Sequence, residues 1–196
     1  MIYVVGIGPG NPKYLTNEAE DVLFKSKFVI GFNRAVDSVD EFTEATEVKT
    51  LKDITDFLDT HKDLGEDIVV LASGDPSFFG IAEYLSKKYE IEVVPGISTV
   101  SYLSSKLKIS LNEVKTISFH GREIEKSMID SKKLMVYTDS KNTPNRVSKW
   151  LSEMGYSGTI VAGFNLSYDD ESIIKFNIGE EIHEYSDLNI LYVELA

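Results

Sequence analysis

"VVGIGPGNPKYLT", Val4 to Thr16, decides how this chain is read. A short run of β-branched residues stops at glycines and prolines, and a helical pattern begins behind Thr16. That is a strand, a tight turn and a helix, the opening unit of a parallel α/β sheet. The turn itself is either a bare connection or a ligand loop. Its glycines stand at 6, 8 and 10, while position 11, where a dinucleotide fingerprint needs its third glycine, holds Asn11. No Lys-Ser or Lys-Thr pair closes it as in a nucleoside triphosphate loop. Pro9 and Pro12 also remove two backbone N–H donors where a phosphate cradle needs them. The loop is expected to be poor in donors, with its carbonyls free for a ligand that is cationic or brings its own donors.

Outward from this loop, strand-like and helix-like segments alternate. Ile2–Val5, Phe28–Ile30, Asp67–Ala72 and Ile91–Val94 read as short buried strands. Helical spacing links Ala19, Val22, Leu23 and Ser26 behind a cap at Thr16 or Asn17. It also links Ile54, Phe57 and Leu58, then Phe78, Ile81, Ala82 and Leu85, then Val100, Leu103 and Leu107. The polar stretch "KISLNEVK", Lys108–Lys115, reads as a linker. Beyond it, strands are expected at Thr116–Phe119, Leu134–Tyr137, Thr159–Ala162, Ser172–Asn177 and Asn189–Glu194, with a helix entered through Pro144. No helix joins the last two strands convincingly, so part of this second sheet should be antiparallel. The expectation is an α/β chain of two lobes, 1–112 with a mostly parallel sheet and 113–196 with a mixed one. Ligands of such folds sit in clefts at strand ends and between lobes.

Composition narrows the chemistry. The 196 residues suffice for hydrophobic cores, and the chain has no cysteine, which excludes disulfides, thiolate nucleophiles and cysteine-held metals. Three widely spaced histidines, His61, His120 and His183, make no metal-binding pair, so no metal site is expected. The 32 acidic residues against 20 basic give a formal charge of −12, which disfavours nucleic acid. No apolar run approaches the length of a membrane span, and no basic start precedes a long apolar stretch, so a cytoplasmic location is expected.

Two more strand ends repeat the opening pattern. "LASGDPSFFG", Leu71–Gly80, runs from an apolar strand through Gly-Asp-Pro, placing Asp75 just past the strand. "VVPGISTVSYLSSKL", Val93–Leu107, ends a strand at Pro95-Gly96 and puts Ser98 and Thr99 at a helix entrance. Alone, each reads equally as an ordinary helix cap. Together they make three glycine loops in one lobe, none suited to phosphate. S-Adenosylmethionine fits such loops, with a cationic sulfonium and its own ammonium and amino donors.

"GIGPGNPKYLT", "SGDPSFFG" and "VPGIST" resemble the tetrapyrrole methylase family, and the likeness spans essentially the whole chain. "ISFHGRE" (Ile117–Glu123), "VYTDSKNTP" (Val136–Pro144), "NLSYDDESI" (Asn165–Ile173) and "LNILYVEL" are similar to the branch that methylates C5 of cobalt-precorrin-7 on the anaerobic cobalamin route. The resemblance implies an S-adenosylmethionine-dependent C-methyltransferase. Its cofactor contacts would fall on Pro9, Asp75, Phe78, Ser98 and Thr99, then near Thr138 and Ala162. Many relatives have methionine where this chain has Thr138, and the usual acid after "VAGF" is replaced by Phe164 or Asn165. The resemblance also implies a homodimer, and a separate C15-methylating, decarboxylating enzyme as functional partner. Left open beside it are methylation at another ring position, methylation of a protein side chain, and a module that binds nucleotide or tetrapyrrole without chemistry.

A reduced tetrapyrrole ringed by acetates and propionates is a polyanion, and the chain has three arginines: Arg34, Arg122 and Arg146. Arg34 and Arg122, with Lys106 or Lys108, are expected to form a local basic patch that binds carboxylates; Arg146 reads as a solvated charge. His120 reads either as the acceptor of the proton lost on ring methylation or as a structural histidine at a domain junction. Phe78, Phe79 and Tyr102 either line the cleft or belong to the core.

Overall fold

The computed structural model describes every residue except Arg122. The chain divides into two compact units, Met1–Thr99 and Val100–Ala196.

The first unit contains β1 (Ile2–Gly6), α1 (Asn17–Lys25), β2 (Phe28–Gly31), α2 (Asn33–Asp37), β3 (Thr46–Glu47), α3 (Leu51–His61), β4 (Ile68–Ala72), α4 (Ala82–Ser86) and β5 (Ile91–Val94). Its sheet has the order β3-β2-β4-β1-β5 with every pair parallel. Parallel strands need crossovers that cover both faces, which is why β4 is an unbroken apolar run, buried at all five residues. Ile2, Val4, Ile30, Ile68 and Val70 pack with Ile54 and Leu58 of α3 and Ala82 and Leu85 of α4. Val5, Val29, Val69 and Leu71 face the other way, against Ala19 and Leu23 of α1 and Ala35 of α2. The helix after β1 and the helix after β4 thus lie on opposite faces although the two strands are neighbours. Their loops part above the carboxyl ends of β1 and β4, the switch point where open α/β sheets hold ligands.

The second unit carries α5 (Thr99–Leu107, all but its first residue), β6 (Lys115–Ser118), β7 (Lys133–Tyr137), α6 (Pro144–Glu153), β8 (Gly158–Phe164), β9 (Ser172–Asn177) and β10 (Asn189–Leu195). The order is β6-β7-β10-β8-β9; β6 and β7 are parallel and the other pairs antiparallel. One face packs Ile117, Leu134, Val136, Ile160, Ala162, Leu191 and Val193 against Val147 and Leu151 of α6. Alternation puts Met135, Val161, Ile190 and Tyr192 on the opposite face, where they are also buried. The mixed sheet expected from the missing helix between the last two strands is present. Those strands do not pair with each other: they flank β8.

Local chemistry sets the helix starts. Thr16 Oγ1 accepts the Ala19 amide at 3.1 Å and caps α1. Thr50 and Asp53 form a reciprocal capping box on α3. Thr143 caps α6 with Pro144 in its first turn. One expected helix is shorter than its spacing implied: α4 begins at Ala82, and Phe78 and Ile81 precede it. Phe79 has φ 54, and a Cβ on Gly80 would collide with the Pro76 backbone, so residues 76–81 form a string of turns. Phe78 and Phe79 are 38% and 54% exposed and stack edge to face on each other, which removes both from the core. Among the described residues no helix is long and apolar enough to cross a membrane.

Candidate functional site

The three glycine loops of the first unit follow β1, β4 and β5, adjacent parallel strands, so all three meet at one end of the sheet. They are fastened to each other by backbone. A Cβ on Gly6 would lie 2.6 Å from the Gly96 nitrogen and 2.8 Å from the Gly74 oxygen, and one on Gly96 would overlap that same oxygen. Gly8 and Gly74, at φ 72 and 68, exchange hydrogen bonds: Gly8 N–H to Gly74 O at 3.2 Å and Gly74 N–H to Gly8 O at 2.8 Å. Glycine is needed at 6 and 96 for close approach, and at 8 and 74 for the left-handed turn.

This fastening consumes the amides. The N–H of Ile7 goes to Ala72 O, that of Lys13 to Asn11 Oδ1, those of Tyr14 and Leu15 to Asn11 O and Pro12 O, and that of Ser77 to Asp75 Oδ1. Together with prolines at 9, 12 and 76, these bonds reduce the N–H groups that the first two loops present to an anion. The expectation of free carbonyls does not hold for the Gly8 and Gly74 oxygens, which are each taken by the other loop. The Asp75 carboxylate is an acceptor at the rim: Oδ1 holds the Ser77 amide at 2.8 Å, and Oδ2 accepts nothing from the described residues. Half-buried Ser98 follows, with its Cα 3.6 Å from where a Gly74 Cβ would stand, and Thr99 opens α5. A half-buried carboxylate and small hydroxyl residues fit a ligand that donates, as S-adenosylmethionine does through its ammonium, ribose hydroxyls and amino group.

The sequence-derived cofactor positions separate by accessibility. Asp75, Ser98 and Thr99 are half-buried and Phe78 is exposed, whereas Pro9, Thr138 and Ala162 are buried. The Thr138 hydroxyl is committed to Asn189, donating to its backbone oxygen at 2.8 Å and also contacting Oδ1, which ties the end of β7 to the start of β10. Arg34 is exposed in the first turn of α2, beyond β2, and forms no ion pair with the described residues. Arg122 lies outside the described residues. Arg146 is exposed on α6 and donates to Lys141 O at 3.3 Å.

In the second unit, the ends of β6, β7 and β8 and the start of β10 lie along one edge of the sheet. His120 stands there, exposed, with Nδ1 3.4 Å from the Thr138 carbonyl. A carbonyl only accepts, so the tautomer that bonds to it carries its proton on Nδ1 and leaves the lone pair on Nε2. Beside it Asp139 takes three amides, from Gly121 at 2.6 Å, Lys141 at 2.9 Å and Asn142 at 2.6 Å. Burial raises its pKa, but these three bonds outweigh that and hold the carboxyl below the usual range. Farther along the edge, Glu171 accepts from Tyr102 Oη at 2.6 Å, Lys106 Nζ at 2.8 Å and the Ser167 amide at 2.7 Å. Burial pushes its pKa up and the three donors more than reverse the shift, while the bond to Glu171 raises that of Lys106.

Two expectations change as a result. Lys106 is paired with a carboxylate and so does not supply free positive charge. Tyr102, 5% exposed, points its hydroxyl into this cluster. Asp139 and Glu171 were missed by sequence reasoning. "DSKN" carries an Asx-turn signature that would have flagged Asp139. Glu171 stands 69 residues from Tyr102 and has no local signal.

The family model described as Tetrapyrrole (Corrin/Porphyrin) Methylases matches residues 1–181. The chain belongs to the tetrapyrrole methylase family. That membership carries the family's chemistry, methyl transfer from S-adenosylmethionine. Among curated relatives, this methylase is 35% identical over 130 residues to the probable cobalt-precorrin-7 C(5)-methyltransferase of Methanocaldococcus jannaschii, covering 63% of this chain and 62% of that one. It is 30% identical to the cobalt-precorrin-7 C(5)-methyltransferase of Salmonella typhimurium, covering 88% and 89% of the two chains. Among solved structures it resembles the precorrin-6Y methylase of Archaeoglobus fulgidus with a TM-score of 0.79, over 100% and 98% of the chains at 24% identity, a likeness of fold.

Proposed function

We propose that this methylase transfers the methyl group of S-adenosylmethionine to C5 of cobalt-precorrin-7, a step of anaerobic cobalamin synthesis. The observation that carries the ring position is the alignment over almost nine-tenths of the chain with the Salmonella enzyme of that name. The donor supplies an electrophilic methyl on a sulfonium, and cobalt arrives inside the macrocycle as part of the substrate.

The residues of the chain then have a limited task. Asp75 accepts hydrogen bonds from the donor's own N–H or O–H groups, and the glycine-packed floor behind it keeps water out of that end of the sheet. Positioning of this kind is worth roughly 7 to 11 kcal/mol in well-aligned systems, so strong acid–base machinery is not required. Arg34 and Arg122 are proposed to bind substrate carboxylates, and Nε2 of His120 to accept the proton that leaves the ring. The protein is proposed to act as a homodimer beside a separate C15-methylating, decarboxylating enzyme.

Incubation with labelled S-adenosylmethionine and a panel of cobalt-precorrins tests the reading. One methyl added at C5 of cobalt-precorrin-7 is the expected product; a methyl at another ring carbon would reassign the chain within its family. Arg122→Ala should weaken tetrapyrrole binding and spare the methyl donor, whereas equal losses would contradict the carboxylate role. An unchanged single-turnover rate in His120→Ala would remove the proposed base.

A further inference from the structure

After Phe164 the chain leaves β8 through Asn165–Asp170, and two of these residues, Asn165 at φ 45 and Ser167 at φ 76, are left-handed without being glycine. Asparagine enters that region at little cost, but serine holds it only where its surroundings favour it, and such strain gathers at functional sites. Here the enforcement is visible. Asn165 Nδ2 donates to Asp170 at 2.7 Å, its amide goes to Leu188 O at 3.0 Å, and the Ser167 amide goes to Glu171. The turn sends the 4%-exposed Leu166 back onto β8, so close that a Cβ on Gly163 would sit 2.9 Å from a Leu166 methyl. Gly163 follows directly on Ala162. The ladders to β10 and β9 hold the backbone of Ala162 and Gly163, and the turn lays Leu166 on that strand beside Ala162, with Glu171 as one of the acceptors that hold the turn.

Glu171 also reaches a second element. Tyr102 and Lys106, four residues apart on α5, share one helix face and both donate to it, with the ammonium 5.1 Å from the Tyr102 ring centre. One carboxylate thus locks a strained turn to the helix that begins at Thr99. Several donors converging on a mostly buried acid make the lock directional as well as strong.

We propose that Glu171 is a positioning residue for methyl-donor binding, fixing the turn that packs Leu166 on β8 beside Ala162 to helix α5. This rests on the proposed use of S-adenosylmethionine near Ala162. It assigns Glu171 no contact with the donor or with any reacting atom.

Calorimetric titration of S-adenosylhomocysteine into wild type, Glu171→Gln and Tyr102→Phe tests it, with melting temperatures and steady-state kinetics measured in parallel. Glu171→Gln should bind about tenfold more weakly, the factor set by loss of one charge-assisted bond. Tyr102→Phe, which keeps the Lys106 and Ser167 arms, should weaken binding by a smaller factor. KM for the tetrapyrrole should stay at the wild-type value while KM for the methyl donor rises in the same order as the binding losses. Lowered melting temperatures with unchanged affinity well below the melt would make Glu171 merely structural and overturn the inference. Wild type that fails to bind S-adenosylhomocysteine would remove the underlying functional reading, and this inference with it.

Discussion

The two units fasten their strand ends by different means. In the first, loops after β1, β4 and β5 meet backbone to backbone, with glycines at 6 and 96 providing the room and Gly74 the left-handed turn. In the second, carboxylates gather amides across loops: Asp139 holds Gly121 from 18 residues away, and Glu171 holds Ser167, Tyr102 and Lys106. Glycine packing is uncharged and intolerant of any added atom. A carboxylate lock tolerates its neighbours changing but depends on its charge. The contrast predicts that the glycine loops of the first unit are sensitive to volume and the carboxylate-held loops of the second to protonation.

Volume should give the largest effect. Gly96→Ala places a methyl on the Gly74 carbonyl oxygen, where only backbone can yield, and should cost about 3 kcal/mol or more in denaturant unfolding. A cost below about 1 kcal/mol would mean that the loops have slack the contrast denies. Next comes Asp139→Ala, which leaves the Gly121, Lys141 and Asn142 amides without their acceptor and should cost about 2 to 3 kcal/mol. Its effect should also appear as faster hydrogen exchange at Gly121.

Protonation sharpens the comparison. Asp139 and Glu171 both have pKa values lowered by folding. Their stabilisation is therefore complete above the unfolded-state values near 4 and fades as pH falls through the depressed folded values. Other carboxylates with lowered values, such as Glu83 and Asp130, are solvent-exposed partners of lysines and should be screened at about 0.5 M salt, whereas Asp53 is lowered by capping-box hydrogen bonds that salt does not screen. Unfolding measured in that salt between about pH 3 and 6 should retain a slope, and Asp139→Asn combined with Glu171→Gln should reduce it. An unaltered slope in the double variant would place the acid sensitivity elsewhere. The smallest effect is expected at Phe79, half exposed and outside the core: Phe79→Ala should change stability by less than about 0.5 kcal/mol.

The same contrast explains what the sequence disclosed. Glycine loops are local, so "GIGPG", "SGDP" and "VPGIS" announce both the strand ends and the unsuitability for phosphate, and apolar runs such as "IVVLA" locate the parallel strands. Carboxylate locks are not local. Glu171 sits in an acidic stretch, "YDDES", where nothing distinguishes it from Asp169 or Asp170 until folding brings α5 to it. Short elements also escaped. β3 has two residues and α2 five, too few for any periodicity to register. Phe78 misled because its spacing to Ile81, Ala82 and Leu85 is helical, while Gly80 is pinned on Pro76 and Phe79 turns left-handed between them. The Gly8 carbonyl reads as free in the sequence because the bridge from Gly8 to Gly74 joins residues 66 apart, which no local pattern reveals.

Glycine loops that meet at the ends of β1, β4 and β5, with the Asp75 carboxylate at their rim, favour a ligand that donates hydrogen bonds over one that brings phosphate. The most direct measurement is the thermal stability of the protein with S-adenosylhomocysteine, ATP or NAD added in turn. S-Adenosylhomocysteine at about a hundred times its dissociation constant should stabilise the fold by about 2.7 kcal/mol, and Asp75→Ala should reduce that gain, while the phosphate-bearing ligands leave the melt unmoved. A shift with ATP or NAD and none with S-adenosylhomocysteine would contradict it.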